Sequence, residues 1–377
     1  MNTNQTRAWA EIDLAALQHN FRAVREAVGP GPGIIPMVKA DAYGVGAHRV
    51  VRALDPLDPW GFGVATADEG AALRDMGVQR PVIVFGPLAP QAVETAAAAR
   101  VITTVSDIAA LDRWAEAARR HGPLEFHVEI DTGMGRAGFD WREAPAWAPA
   151  VVERCSEMLR WTGVYTHFHG ADSPDPTATA VQWERFRDAL AQLPVSREDL
   201  LVHASNSAAS MRWPGFAADA VRPGIYLYGG HVGPEADVPP PRPVVSVRSR
   251  LVLVRDVPPG STVGYGATHV ARGWERWGTL GIGYGDGLPR RLGNRGSGLV
   301  RGRRVPFVGR TSMDLTVVDI SGVPDVDVGD VVTLIGKDGG AEIRVDDVAA
   351  LAETISYEIL TGLRPRLPRV ETNHGSS

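Results

Sequence analysis

The sequence predicts an α/β protein: a (β/α)8 TIM-type barrel over residues 1–240, followed by a mostly antiparallel C-terminal β domain over residues 241–377. Three observations carry this reading. Short apolar runs alternate with longer amphipathic stretches about eight times through the first two thirds, as in a parallel barrel wrapped by helices. The stretch HVGPEADVPPPRP then breaks both helix and strand signals and reads as a linker. Beyond it the apolar period shifts to alternation, with Gly- and Asp-rich turns between runs, the pattern of antiparallel strands.

Taken in order, Asp13 is placed to cap a helix through LAALQHNFRAVREAV, whose apolar residues recur at helical spacing. GIIPMVK reads as a buried strand and GAHRVVRAL as the next helix. GFGVA precedes DEGAALRDMG, whose last glycine suits a helix C-terminus. PVIVFG, VITTV, LEFHVEID, WTGVYTHF, LLVHAS and AADAVRPGI supply the later strands, with helical patterns between them. No G-x-G-x-x-G opens the first helix, which counts against a doubly wound dinucleotide fold. The lone cysteine, Cys155, falls in a helical pattern. After the linker, VVSVRSRLVLVRDV, GTLGIGYGDG, GLVRGRRVPFVG and DLTVVDI read as strands. VDDVAALAETISYEILTGL adds a helical patch, NHGSS reads as a frayed tail, and the first few residues are candidates to pair with the β domain.

Composition narrows the function classes. A net charge of −5 offers no basic footprint for nucleic acid, and the arginines of RLGNRGSGLVRGRR read as a solvated hairpin surface. One cysteine excludes an intrachain disulfide framework. The start, MNTNQTRAWAEIDL, lacks a basic segment followed by an apolar core, and no apolar run approaches the ~18 residues of a membrane span, so a cytoplasmic protein with no membrane partner is the expectation.

In a barrel, chemistry belongs at the C-terminal strand ends. Lys39 ends the second apolar run, with Tyr43 just beyond. Alternation puts His127, Glu129 and Asp131 on one face of LEFHVEID, and TGMGRAG after it carries Arg136. THFHGAD brings His167, His169 and Asp172; HASNSA brings His203, Asn206 and Ser207; VRPGI brings Arg222 and Gly224. A lysine made nucleophilic by burial or by cations such as Arg136 and Arg222, beside a small-residue phosphate cradle, suggests pyridoxal phosphate. Two other readings stand beside it: a lysine that merely snorkels to water, and a metal site built from His167 and His169 with Glu129, Asp172 and His203.

Eight stretches, MVKADAYGVG, DTGMGRAG, THFHGAD, SNSA, RPGIYLYG, VGYGAT, GYGDG and VGRTSMD, stand in the order found in bacterial alanine racemases, and the resemblance runs from about Trp9 to Tyr357. It implies a pyridoxal-phosphate barrel with a β domain, working as a homodimer on an amino acid, with no resident metal. It assigns Lys39 as the residue that binds the cofactor and the base facing D-alanine, and Tyr265, reaching over from the partner chain, as the base facing L-alanine. It places Arg222 opposite the pyridine nitrogen, held by His167, and puts Tyr43, Asn206, Ser207, Tyr357 and the Gly224 and Ile225 amides around the cofactor. Arg136 and the Met313 amide take the substrate carboxylate; Asp172, Arg290 and Arg310 match a charged entrance. The product implied is D-alanine for peptidoglycan; serine or a basic amino acid is the alternative substrate. Many members carry a carboxylated lysine where this chain has Glu129, and the expectation is that Glu129 braces Arg136 with the same charge. Leu315 after SMD is a second departure, with no reading attached.

Overall fold

In the computed structural model, residues 5–234 and 237–372 are described; Met1–Asn4, Glu235 and Ala236 of the linker and the tail Asn373–Ser377 lie outside the described residues. Eight parallel strands form the first sheet: Gly33–Ile34, Phe62–Val64, Val82–Val84, Ile102–Val105, Leu124–Asp131, Leu159–Tyr165, Leu201–His203 and Ala220–Val221. Gly33–Ile34 pairs with Ala220–Val221, and each other strand with its chain neighbour. Bonds from Val38 N to Gly63 O at 2.8 Å and from Gly63 N to Pro36 O at 2.9 Å close the barrel. The first strand is short because Pro36 has no N–H to donate.

The helices start where the sequence offers caps. Asp13 accepts from Ala16 N at 2.9 Å and opens Leu14–Val28. Thr66 and Glu69 form a reciprocal capping box at the head of Ala67–Asp75. Leu17, Phe21 and Val24 fall on the buried face of the first helix, as its period requires. Two readings need correction. Cys155 sits one residue past the helix Ala144–Arg154 and adopts an extended backbone. The late helical patch is two helices, Val345–Leu351 and Ser356–Thr361, because Glu353 takes φ +57° between them.

The second sheet is mostly antiparallel, in the order Arg303–Pro306, Ser297–Val300, Val331–Asp338, Val245–Val257, Ala8–Asp13 and Arg369–Thr372. Ala8–Asp13 pairs antiparallel with Val245–Val257 and parallel with Arg369–Thr372. A register shift between Leu251 and Leu253 bends the long strand. Its second half then pairs with Glu275–Leu280, which carries Thr316–Asp319. One buried core runs through both sheets, from Leu17 and Phe126 to Leu299 and Val332. No helix among the described residues is long and apolar enough to cross a membrane.

Candidate active site

At the C-terminal end of the barrel a cavity of about 470 Å³ is lined by Lys39, Tyr43, Glu129, Arg136, His167, Asn206, Ser207, Arg222, Gly224, Ile225 and Tyr357, with Met37, Phe85, Gly86, Pro87, Ala137 and Tyr165 completing its wall. Of the residues expected at the barrel strand ends, His127, Asp131, His169, Asp172 and His203 do not line this cavity; the others do.

Lys39 opens a turn of unusual hand. Ala40, Asp41, Ala42 and Tyr43 have φ from 52° to 57°, the left-handed region that costs an L-residue ~1–2 kcal/mol each. Side chains hold it. Glu69 Oε1 accepts from Ala40 N at 2.6 Å, and Asp41 Oδ1 accepts from Ala47 N at 2.7 Å. The turn sets Lys39 and Tyr43 on the cavity wall a few residues apart. Burial lowers the Lys39 amine from its ordinary value; the positive charge of Arg136 adds to this, Glu69 opposes it, and Arg222 lowers it further. Such an amine gives up its proton more readily, which favours its use as a nucleophile.

Around the Tyr43 hydroxyl the lining offers donors that suit a phosphate. Asn206 caps the helix Ser207–Arg212, and Ser207 Oγ accepts from Gly224 N at 2.7 Å and from Tyr226 N at 3.4 Å. Among the described residues, the Ile225 N–H has no protein acceptor. A Cβ on Gly224 would stand 2.2 Å from the Tyr43 hydroxyl oxygen, so only glycine lets backbone and phenol approach the same point. Tyr43 is stacked 4.6 Å from Tyr228 and lies 5.9 Å from Tyr357. Burial, with the negative charge of Asp172, pushes the Tyr357 phenol up to about 12, so it stays a donor. Hydroxyl and amide donors around a glycine cradle, with a lysine across the cavity, fit pyridoxal phosphate.

Arg222 lies at the floor and is buried. Its Nη2 donates to the Thr166 and Ala204 carbonyl oxygens at 2.9 and 3.0 Å. Its Nη1 meets His203 Nδ1 at 2.8 Å, whereas His167 Nδ1 is 3.4 Å from Nη2. The closer histidine is thus His203, and His127 stands 3.0 Å behind it. Burial and the guanidinium together push His127 and His167 down to about 3, and His203 well below its ordinary value, leaving all three neutral. Burial lowers Arg222 itself to about 10, still cationic at neutral pH.

Glu129 is buried and bonds the Tyr165 hydroxyl; burial raises its carboxyl, against the pull of Tyr165, Arg136 and Arg222. Arg136 rides on the loop after Leu124–Asp131, which Asp131 hooks by accepting from Gly133 N at 2.9 Å and Gly135 N at 3.1 Å. Among the described residues no direct ion pair joins Glu129 to Arg136, and their interaction is at longer range. The sequence reading missed Tyr165, which packs its ring 5.0 Å from the Arg222 guanidinium and stacks 5.0 Å from His203. Its signal was present: it is an inward position of WTGVY, two residues from Gly163, where a Cβ would strike the His127 ring. His169 is exposed and does not line the cavity; the strand has already ended at Tyr165. No group of three His, Cys, Asp or Glu among the described residues is arranged to hold a metal ion.

Tyr265, Met313, Arg290 and Arg310 do not line this cavity. They sit on neighbouring loops of the β domain, where Gly264 and Gly293 pack against the Arg310 backbone. Tyr265 is 67% and Met313 52% exposed.

Residues 12–232 match the alanine racemase N-terminal domain and residues 244–371 the alanine racemase C-terminal domain. The chain is 40% identical to the alanine racemase of Halothermothrix orenii over 99% of both chains, and 36% identical to that of Nostoc sp. over 97% of this chain and 95% of the other. It superposes on alanine racemase from Bacillus anthracis with bound L-Ala-P at a TM-score of 0.90 and 32% identity, covering 98% of this chain and 96% of that one. Alanine racemase from Bartonella henselae with covalently bound pyridoxal phosphate superposes at 0.87 and 30% identity, over 97% of this chain and 100% of that one.

Proposed function

The chain belongs to the alanine racemase family, and on that premise we propose that it interconverts L- and D-alanine with pyridoxal phosphate, in a site shared between two copies of the chain. The observation that carries the reading is the cavity itself: an amine depressed by burial and two arginines faces a cradle of Ser207, Gly224, Ile225 and Tyr43.

When bound, pyridoxal phosphate withdraws electron density from the substrate Cα and makes its proton removable. Lys39 would hold the cofactor, with Tyr43, Ser207, Tyr357 and the Gly224 and Ile225 amides on the phosphate and Asn206 beside them. Arg222 would stand opposite the pyridine nitrogen and, keeping its own proton, would leave that nitrogen without one, so the cofactor would supply only a weak electron sink. A weak sink favours quick return of the proton to Cα over other fates of the substrate. His203, with His167 at longer range, fixes the guanidinium.

Racemisation needs one base on each side of Cα. Lys39 Nζ serves the D side. Tyr265 of the partner chain serves the L side, which accounts for an exposed tyrosine outside its own chain's cavity. Arg136 and the Met313 amide bind the substrate carboxylate, Glu129 adds negative charge behind Arg136, and Asp172, Arg290 and Arg310 charge the entrance. In this division residues 1–240 supply most of the cofactor contacts, and residues 241–377 supply Tyr357 and the second base. The product serves peptidoglycan synthesis in the cytoplasm. Serine and basic amino acids remain the alternative substrates, with no observation favouring them.

The test is to incubate the protein with L-alanine in deuterated water, following the Cα proton by NMR and D-alanine by chiral separation. Loss of the Cα proton with D-alanine rising toward an equal mixture is expected. Exchange with serine, lysine or arginine but not alanine would change the substrate. No exchange with any amino acid would end the reading.

A further inference from the structure

We propose that Asn294 is a positioning residue for catalysis, the clasp that fixes the Tyr265 loop against the Arg310–Met313 segment; the proposal rests on the reading of Tyr265 as the base on the L side. Tyr265 sits at the tip of the hairpin formed by Thr262–Val263 and His269–Val270. Gly264, Gly266 and Ala267 take φ of +72°, +75° and +45°, and inside the loop a single bond from Ala267 N to Gly264 O at 3.2 Å gives little rigidity.

Among the described residues, one side-chain hydrogen bond ties residues 264–268 to the rest of the chain. Asn294 Nδ2 donates to Thr268 Oγ1 at 3.0 Å. The other end of the same amide, Oδ1, accepts from Gly309 N at 2.6 Å. Gly309 leads into Arg310, whose backbone lies under Gly264 so closely that a Cβ there would stand 3.2 Å from Arg310 N. One amide therefore sets the loop with the second base against the segment bearing Arg310 and Met313.

The chemistry is specific to asparagine. The site needs a donor toward Thr268 and an acceptor for Gly309 from one short side chain, which aspartate cannot supply. Asn294 also has φ +59°, a conformation asparagine tolerates better than most residues. It lies in the arginine-rich stretch that reads from sequence as solvated surface, and its role is independent of that charge. A phenol acting on Cα must be placed closely, since a shift near 1 Å can cost ~100-fold in rate.

The experiment uses the holoenzyme and four variants. Asn294→Gly keeps the positive φ without strain and deletes the amide; Thr268→Val deletes the acceptor from the other side; Thr268→Ser keeps the hydroxyl; Tyr265→Phe deletes the base. With Asn294→Gly and Thr268→Val, kcat for L-alanine should fall roughly tenfold to a hundredfold. KM, cofactor absorbance and oligomeric state should stay near wild type, and Thr268→Ser should recover most of the rate. In deuterated water both should still exchange the Cα proton of D-alanine without inverting it, because Lys39 serves that side. Wild-type kcat in both clasp variants while Tyr265→Phe is inactive would overturn the clasp. So would an equal loss of exchange from both enantiomers, which marks general damage. Racemisation surviving in Tyr265→Phe would remove the reading beneath the proposal, and the proposal with it.

Discussion

Glu129 shows how one carboxylate is balanced between opposing effects. Burial raises its pKa from the ordinary value, whereas the Tyr165 hydroxyl and the charges of Arg136 and Arg222 favour ionisation. Without a direct ion pair, its hold on Arg136 is electrostatic, and removing the charge should weaken substrate binding more than turnover. Glu129→Gln keeps the shape and the Tyr165 partner, so KM for alanine should rise roughly threefold to tenfold, with kcat changing less. In the wild type, KM should also rise as pH falls through the raised carboxyl pKa, and in Glu129→Gln that rise should vanish. Steady-state kinetics from pH 8 down to 5.5 check both; an unchanged KM in the variant would dismiss the charge. The histidines behind Arg222 make a separate prediction. His127, His167 and His203 stay neutral in the fold because their pKa values are lowered, but they ionise near 6.5 in the unfolded chain. The unfolded chain therefore binds more protons below pH 6.5. Stability is fully present above that value and is lost on acidification by up to ~1.4 kcal/mol per pH unit for each histidine. Denaturant melts between pH 7 and 5 should show this slope, and His127→Gln should remove about a third of it.

The element that matters most is the left-handed turn Ala40–Tyr43. Its cost is local and its restraints are few, so substitution there reads directly on stability. Ala40 is exposed with φ 53°, so Ala40→Gly should raise stability by up to ~1 kcal/mol and leave activity alone. Ala40→Val should destabilise by more than that and weaken pyridoxal-phosphate binding, because a β-branched residue resists positive φ and displaces Tyr43. Thermal melts and a cofactor titration distinguish the two. This turn was invisible in the sequence: KADAY contains no glycine, and nothing in its residue types signals positive φ. What was legible followed from period and caps. Asp13 and the helical spacing fixed Leu14–Val28, and eight apolar runs became eight strands. Errors came where tertiary context decided. The H-x-H of THFHGAD looked like one strand face, but the strand stops at Tyr165. Cys155 lay in a helical pattern that ended one residue earlier.

At the scale of the molecule, one chain holds only part of the proposed machinery. The convergence of Lys39, Ser207 and Arg222 was legible because barrel strand ends share one face, whereas Tyr357, in the helix Ser356–Thr361, came through the resemblance. The proposed place of Tyr265 came only through resemblance, since no periodicity would say that a residue on one domain completes a cavity in another chain. An exposed tyrosine and an exposed methionine, both outside the cavity, are what the proposed donated arm would leave in a single chain. The arrangement makes a quantitative prediction. Lys39→Ala and Tyr265→Phe should each abolish racemisation alone, because every site in either homodimer lacks one base. If the variants are mixed in equal amounts and allowed to exchange subunits, about half the dimers are mixed, and each mixed dimer has one site with both bases intact. Activity should therefore return to about a quarter of wild type, rising at the rate of subunit exchange. An arm that served its own chain's cavity would leave the mixture as inactive as its parts, because every site would still carry one of the two substitutions.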